Sequence, residues 1–237
     1  MSALIHLTGQ PMGEAIESAD RRPIAARNWR ISQTLAGWLV RRGISANAIS
    51  VFGMLCGIAA GLSLAATTLL PDFARLFWLL SALLILLRLL ANMFDGMVAL
   101  VRGTASPLGE LFNEVPDRVS DAATLIGLGY AAGGEPVLGF VAACVALFVA
   151  YVRTVAKTAG APHDFCGPMA KPHRMFAVIA AGLYAGLAPA NWQPVWGEGK
   201  WAISSAVLVL IIVGGGVTAL RRLWRAGAYL AHTRRRT

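Results

Sequence analysis

Asn113, Asp117 and Asp121 follow one another at intervals of four residues, and upstream of them Asn92 and Asp95 stand three apart. The window that holds them, NMFDGMVALVRGTASPLGELFNEVPDRVSD (92–121), also contains Glu110 and Glu114. Five of the chain's twelve acidic residues therefore fall in one stretch. Spacings of three and four bring side chains onto one helix face. Carboxylates gathered in a low-dielectric setting repel unless a cation neutralises them. Asp and Asn present oxygen only, which suits one or two hard divalent ions, Mg2+ or Mn2+, over zinc. Gly96 and Gly109 remove side-chain bulk where a ligand can press on the backbone. Oxygen donors, bare backbone and neighbouring Arg together describe a pyrophosphate site, where bound metal offsets charge on the bridging and leaving oxygens. The same residues admit a purely structural reading, a salt-bridged helix pair with Arg88 on Asp95 and Arg118 on Asp121 or Glu114.

Positioning such residues falls to strongly apolar elements. The chain has 237 residues, 57% hydrophobic and 14% charged, against about a quarter charged in soluble domains, and its mean hydropathy is +0.61. Six runs, about 46–69, 75–101, 108–132, 137–159, 173–190 and 201–220, approach the roughly 20 apolar residues that cross a bilayer. The third and fifth are the least uniformly apolar. Ahead of them, Ile31, Leu35, Trp38 and Leu39 recur at helical spacing, with Arg27, Arg30, Gln33, Thr34 and Arg41 largely on other faces. This predicts an amphipathic helix in the headgroup plane, anchored by Trp29 and Trp38, although an ordinary packed surface helix has the same pattern. Gly43 suits its stop and Ser45 the cap of the next helix. Residues 1 to about 20 lack periodicity. The expected fold is all-α: a polytopic membrane protein with six transmembrane helices preceded by an interfacial amphipathic helix.

Charge sets the expected topology. Eighteen of the 21 Lys and Arg residues fall before the first span, at the junction of the second and third, between the fourth and fifth, or in the tail; Arg75, Arg88 and Lys200 are the exceptions. Six spans return both termini to that basic face, which the positive-inside rule makes cytoplasmic. Nucleic-acid binding explains the net charge of +9 poorly, because the basic residues flank apolar spans rather than forming one patch. Cys56, Cys144 and Cys166 offer no disulfide framework or zinc spacing, and the N-terminus does not read as a cleaved signal peptide. Gly53, Gly57 and Gly61 form a small-residue stripe for close helix approach, within the chain or between chains. Trp192, Trp196 and Trp201 are expected at the far interface. His163 and His173 read as surface or substrate-contact residues. Arg118, Arg153, Lys171 and Arg174, near the mouth of the site, suit either a phosphorylated acceptor or anionic lipid.

The 92–117 segment resembles the signature of the CDP-alcohol phosphotransferases: D-x-x-D-G-x-x-A-R, eight residues, then G-x-x-x-D-x-x-x-D. Asp95, Gly96, Ala99, Gly109 and Asp117 match without gaps. Asn92 and Asn113 stand where the pattern has Asp, and Leu100 where it has Arg. RRPIAAR (21–27), GISANAIS (43–50), YVRTVAKTAG and DFCGPMAKPHR (151–174) are similar to the family too, so the resemblance spans most of residues 21–190.

The resemblance implies transfer of a phosphatidyl-type group from a CDP-linked lipid, usually CDP-diacylglycerol, to a polar alcohol or alcohol phosphate, with release of CMP. It implies Asp117 as general base, Asp95, Asn92, Asn113 and Asp117 at the metal positions, and Gly96, Ala99 and Gly109 at the nucleotide. Asp121, one turn on, is placed to restore charge that the two Asn residues remove. Arg118, Arg153, Lys171 and Arg174 become candidates for the acceptor phosphate. A homodimer in a bacterial inner membrane, with the site and both termini cytoplasmic, is the implied setting. The expected layout is an N-terminal segment (1–44), a six-helix transferase-like domain (45–220) and a basic tail (221–237). Two other classes stand beside this one: a catalytically impaired member that binds lipid nucleotide or a partner, and a small transporter, which the clustering of the acids at one end disfavours.

Overall fold

The structure, a computed structural model, describes residues 29–103, 107–162, 164–198 and 200–234. Expectations for residues 1–28, including RRPIAAR, and for His163 lie outside these. The described residues form seven α-helices: α1 (Arg30–Arg41), α2 (Ala46–Leu69), α3 (Ala74–Val101), α4 (Pro107–Gly129), α5 (Pro136–Thr158), α6 (Lys171–Leu187) and α7 (Ile203–Arg234). The one β-type pairing among them is a two-way backbone link between Trp196 and Trp201. Local chemistry sets the helix ends. Ser45 Oγ accepts from the Ala48 amide at 3.2 Å and opens α2. Glu135 accepts from Val137 ahead of Pro136 in α5. Gly103, at φ +63°, stops α3 in a conformation that a side chain would resist. The last helix runs to Arg234, well past the expected limit of 220, because residues 221–234 are rich in Arg, Ala and Leu and contain no proline.

Among the described residues, four helices are long and apolar enough to cross a membrane: α2, α3 with its preceding turn, α5 and α7. Large side chains such as Leu62, Leu69, Val213 and Leu220 stay exposed on them, as lipid-facing residues do. The chain is an integral membrane protein. The remaining two long helices depart from that composition for separate reasons. α4 carries Glu110, Glu114, Asp117, Arg118 and Asp121, while α6 is 17 residues long and has Lys171 and Arg174 in its first turn.

α2 is the central element and lies against both α3 and α4; α5 packs between α4 and α7, and α6 packs on α3. Leu64, Ile85, Leu125, Leu128, Met175, Val178, Leu208 and Ile211 fill the core. The glycine stripe is used within the chain. A Cβ added at Gly53 would stand 3.0 Å from Ala91 Cβ, one at Gly57 2.4 Å from Ser120 Cβ, and one at Gly61 2.2 Å from the Ala123 carbonyl oxygen. Small residues thus set the helix separations. α3 and α4, expected as direct neighbours, instead each lean on α2 and approach one another little. The close fit of glycine allows α2 to occupy the space between them.

α1 packs on α3 through its small side chains. Ser32 and Ala36 are buried, and Ala36 clusters with Met93 and Met97. Ile31, 72% exposed, Leu35 and Trp38 project away from the protein. Arg102 follows the end of α3 and donates to the Val40 carbonyl at 3.3 Å. Replacing Gly61 by Ala is expected to cost about 1–3 kcal/mol through overpacking, seen as a lower thermal midpoint in detergent. Gly216→Ala, with nothing within 4 Å of the added carbon, should leave that midpoint unchanged.

Candidate active site

Across the gap between α3 and α4 the polar side chains meet, and α6 closes the group. Arg88 of α3 is 1% exposed. Its Nε donates to Ser120 Oγ at 2.9 Å, and its Nη2 donates to the Asp117 carbonyl at 3.2 Å and to Asp121 Oδ1. Asp121, 2% exposed, receives Arg174 Nη2 of α6 on its other oxygen at 3.1 Å. One buried carboxylate therefore holds two buried guanidiniums from two helices. Arg174 also donates to the Met169 carbonyl at 3.1 Å, which ties the start of α6 to the preceding loop.

One turn nearer the end of α3, Asn92 Nδ2 donates to Asn113 Oδ1 at 3.1 Å and to Asp117 Oδ2 at 3.3 Å. Lys171 Nζ donates to Asn92 Oδ1 at 2.8 Å and pairs with Asp117 Oδ2. Asp95 is buried; it accepts from Ser50 Oγ of α2 at 2.8 Å and from its neighbour's amide, Gly96 N, at 2.6 Å. A small cavity is lined by Asn92, Asp95, Asn113 and Asp117 together with Ser50 and Arg88. Pro116, also on its wall, has no N–H to give the carbonyl of Phe112 and so loosens α4 beside Asp117. Gly96 and Ala99 are half-buried further along α3, and Gly109 is half-buried in the first turn of α4.

A second charged group lies on the α5 side. Glu114 receives Arg118 at 2.8 Å and Arg153 at 2.6 Å. Arg153 also lines a wider cleft with Asp164, Arg222, Arg225 and Tyr229. Arg222, buried, donates to the Cys166 and Val149 carbonyls at 3.0 and 3.1 Å. In the loop, burial works to raise the Asp164 pKa. The Cys166 amide at 2.8 Å and the Cys166 thiol outweigh it, with Arg225 at 2.9 Å adding to them, and hold this carboxyl below its ordinary range.

Asp95, Asn92, Asn113 and Asp117 thus share one cavity, as their spacing suggested. Asp121 lies a turn deeper with both oxygens held by arginine. Arg88 pairs with Asp117 and Asp121 in place of Asp95, because the crossing carries the middle of α3 past the deeper turns of α4. Arg118 takes Glu114 as its partner. Among the four candidates for an acceptor phosphate, Arg118 and Arg153 meet at Glu114, Lys171 bonds to Asn92 and Asp117 of the cavity wall, and Arg174 is buried below it. His173 is exposed. Composition and spacing do not mark Ser50 or Arg222: one is a serine in an apolar span, the other one Arg of a basic run.

The family model for CDP-alcohol phosphatidyltransferase matches residues 44–214, which contain every one of these helices except α1 and the end of α7. The chain belongs to the CDP-alcohol phosphatidyltransferase family. It is 27% identical to the phosphatidylinositol phosphate synthase of Mycobacteroides abscessus, an alignment covering 77% of this chain and 80% of that protein. Its fold is similar to that of Mycobacterium tuberculosis phosphatidylinositol phosphate synthase with CDP-DAG bound, with a TM-score of 0.64, 22% identity, and 84% and 94% of the two chains covered. The structure of the same synthase with manganese and citrate gives 0.64 at 20% identity, covering 82% and 88%.

Against this family's four-aspartate pattern the cavity has two carboxylates, Asp95 and Asp117, with Asn92 and Asn113 as neutral partners. Asp121 adds a third carboxylate below it, and Arg88, Lys171 and Arg174 contribute three cations that pair with Asp117 and Asp121. The Asn92 carbonyl is taken by Lys171, and the donor set suits a single hard cation between Asp95 and Asp117, with the Asn113 carbonyl oxygen beside them. It is too poor in carboxylate for two. Among the described residues, no three His, Cys, Asp or Glu side chains form a metal-holding group. Asp121→Asn is expected to destabilise the protein by about 3–5 kcal/mol, since it leaves buried guanidinium charge uncompensated. Glu114→Gln, on a carboxylate 39% exposed, should cost under about 1 kcal/mol; thermal unfolding in detergent measures both.

Proposed function

We propose that this protein transfers a phosphatidyl-type group from a CDP-activated lipid, CDP-diacylglycerol or a close analogue, to the hydroxyl of a polar alcohol phosphate, releasing CMP. The observation that carries the reading is the shared cavity of Asp95, Asn92, Asn113 and Asp117. Asp117 accepts the proton of the acceptor hydroxyl. The freed oxygen attacks the lipid-side phosphorus, the bond from that phosphorus to the CMP oxygen breaks, and CMP leaves. Asp95 and Asp117, with the Asn113 carbonyl, would hold a divalent ion, which when bound offsets charge on the pyrophosphate oxygens. Gly96, Ala99 and Gly109 line the approach of the nucleotide.

The acceptor reading rests on the cleft that Arg153, Arg222 and Arg225 line, since guanidinium forks suit phosphate oxygens. The relatives named as phosphatidylinositol phosphate synthases support a phosphorylated polyol of that class. Six helices, α2–α7, would span the bilayer. The charges of α4 would face protein, and α1 would lie in the interface with Ile31, Leu35 and Trp38 toward lipid. The basic face, and with it the site and both termini, would be cytoplasmic in a bacterial inner membrane. A homodimer would pair through surfaces other than the glycine stripe, which is occupied within the chain. The two Asn substitutions favour a second reading, a member that binds nucleotide lipid without turnover.

Incubation of purified protein with labelled CDP-diacylglycerol, Mn2+ or Mg2+ and a panel of alcohols and alcohol phosphates separates these readings. Metal-dependent CMP release is expected, abolished by chelation and reduced about 100-fold or more by Asp117→Asn and by Asp95→Asn. Saturable nucleotide-lipid binding without CMP would support the second reading. Arg222→Ala and Arg153→Ala should raise KM for the phosphorylated acceptor about tenfold or more while KM for the CDP-lipid holds. A rise in both constants would remove the cleft from the acceptor's path.

A further inference from the structure

We propose that the Lys171 ammonium is a tethered cation that takes the seat of a second divalent ion, so that this centre works with a single bound Mg2+ or Mn2+. The inference rests on the transferase reading and specifies its cation arrangement.

Three observations converge on Lys171. Its Nζ reaches from the first turn of α6 to Asn92 Oδ1 at 2.8 Å and to Asp117 Oδ2, a bridge between a motif position and the proposed base. Asn92 turns its amide nitrogen toward Asn113 Oδ1 at 3.1 Å and Asp117 Oδ2 at 3.3 Å. A hydrogen-bond donor therefore faces the position where a ligand atom would have to offer a lone pair to metal. The charges agree with this arrangement. Asn at positions 92 and 113 removes two negative charges relative to the four-aspartate pattern, which is the charge of one divalent ion. Of the remaining acids, Asp117 pairs with Lys171 and Asp121 with Arg88 and Arg174, three cations for three acids in number, while Asp95 is held by Ser50 and the Gly96 amide.

An ammonium differs from a divalent ion in ways that matter for the chemistry. It is held by its own chain, so it is present at every metal concentration, and it donates hydrogen bonds where a metal accepts lone pairs. Beside a pyrophosphate it can donate to a phosphoryl oxygen while still contacting Asn92.

Mn2+ binding to the full-length protein in detergent, counted by electron paramagnetic resonance with and without CDP, tests the arrangement apart from turnover. The wild type should bind one Mn2+ per chain. Lys171→Arg, which keeps the charge, should also bind one. Lys171→Met should gain a second, weaker class of bound ion. N92D/N113D/K171M should bind two, the second about tenfold or more tighter than in Lys171→Met. Two ions on the wild type, or one on the triple variant, would overturn the proposal. CMP release by a wild type holding two ions would sink the tethered cation and keep the transferase reading. One bound ion without CMP release would do the reverse, and no bound ion would overturn the single-metal centre itself.

Discussion

A carboxylate shared by two guanidiniums in the dry centre of the helix group is the interaction on which the rest of this architecture depends. Asp121 belongs to α4, Arg88 to α3 and Arg174 to α6, so one acid joins three helices. Burying any of these charges alone would be prohibitive, and the group is stable only because each compensates the others. Its geometry fixes the rotation and height of three helices at once. Asn92, Asp117 and Lys171 sit about a turn away on the same helices, and the precision of the cavity is inherited from that joint.

The joint needs room, and α2 provides the spacing. Its glycines let α4 approach until backbone touches backbone, while Ala91 meets it from α3. A wider α2 would push the two polar faces beyond the reach of Arg88. A direct α3–α4 contact would leave no cavity. The same helix supplies Ser50, whose hydroxyl steadies Asp95. One element thus sets both the width of the site and the orientation of one of its acids.

Much of this was legible in the residues and some was not. The apolar runs, with Gly43 and Ser45 marking the entry to α2, mark helices that the structure matches within a few residues at most ends, since local signals set them. The exception is the end of α7, where the helix continues beyond the apolar run into the basic tail, most of whose residues are good helix formers. Spacings of three and four brought Asn92, Asp95, Asn113 and Asp117 to one cavity because each pair rides on a single helix. What sequence could not carry was register between helices. Arg88 has acids within reach at several heights, and only the crossing through α2 selects Asp117 and Asp121. Lys171 read as one of several basic residues at a membrane boundary, and only the docking of α6 reveals how far inward its side chain reaches. The glycine stripe announced close packing, but its partner emerged only from the tertiary fold.

The uneven composition of α4 bears on how the chain is made. A segment carrying Glu114, Asp117, Arg118 and Asp121 has little tendency to leave the translocation machinery for lipid unaided, when a single central Asp costs about 2.5–3.5 kcal/mol. Its counter-charges arrive from both sides of it in synthesis, Arg88 before and Arg174 after. On the proposed six-span arrangement, partitioning of α4 would be tied to helices that precede and follow it, and would stay incomplete until α6 had emerged from the ribosome. A nascent chain stopped between α4 and α6 would expose an acidic helix that neither water nor bilayer accommodates well, a natural target for membrane quality control.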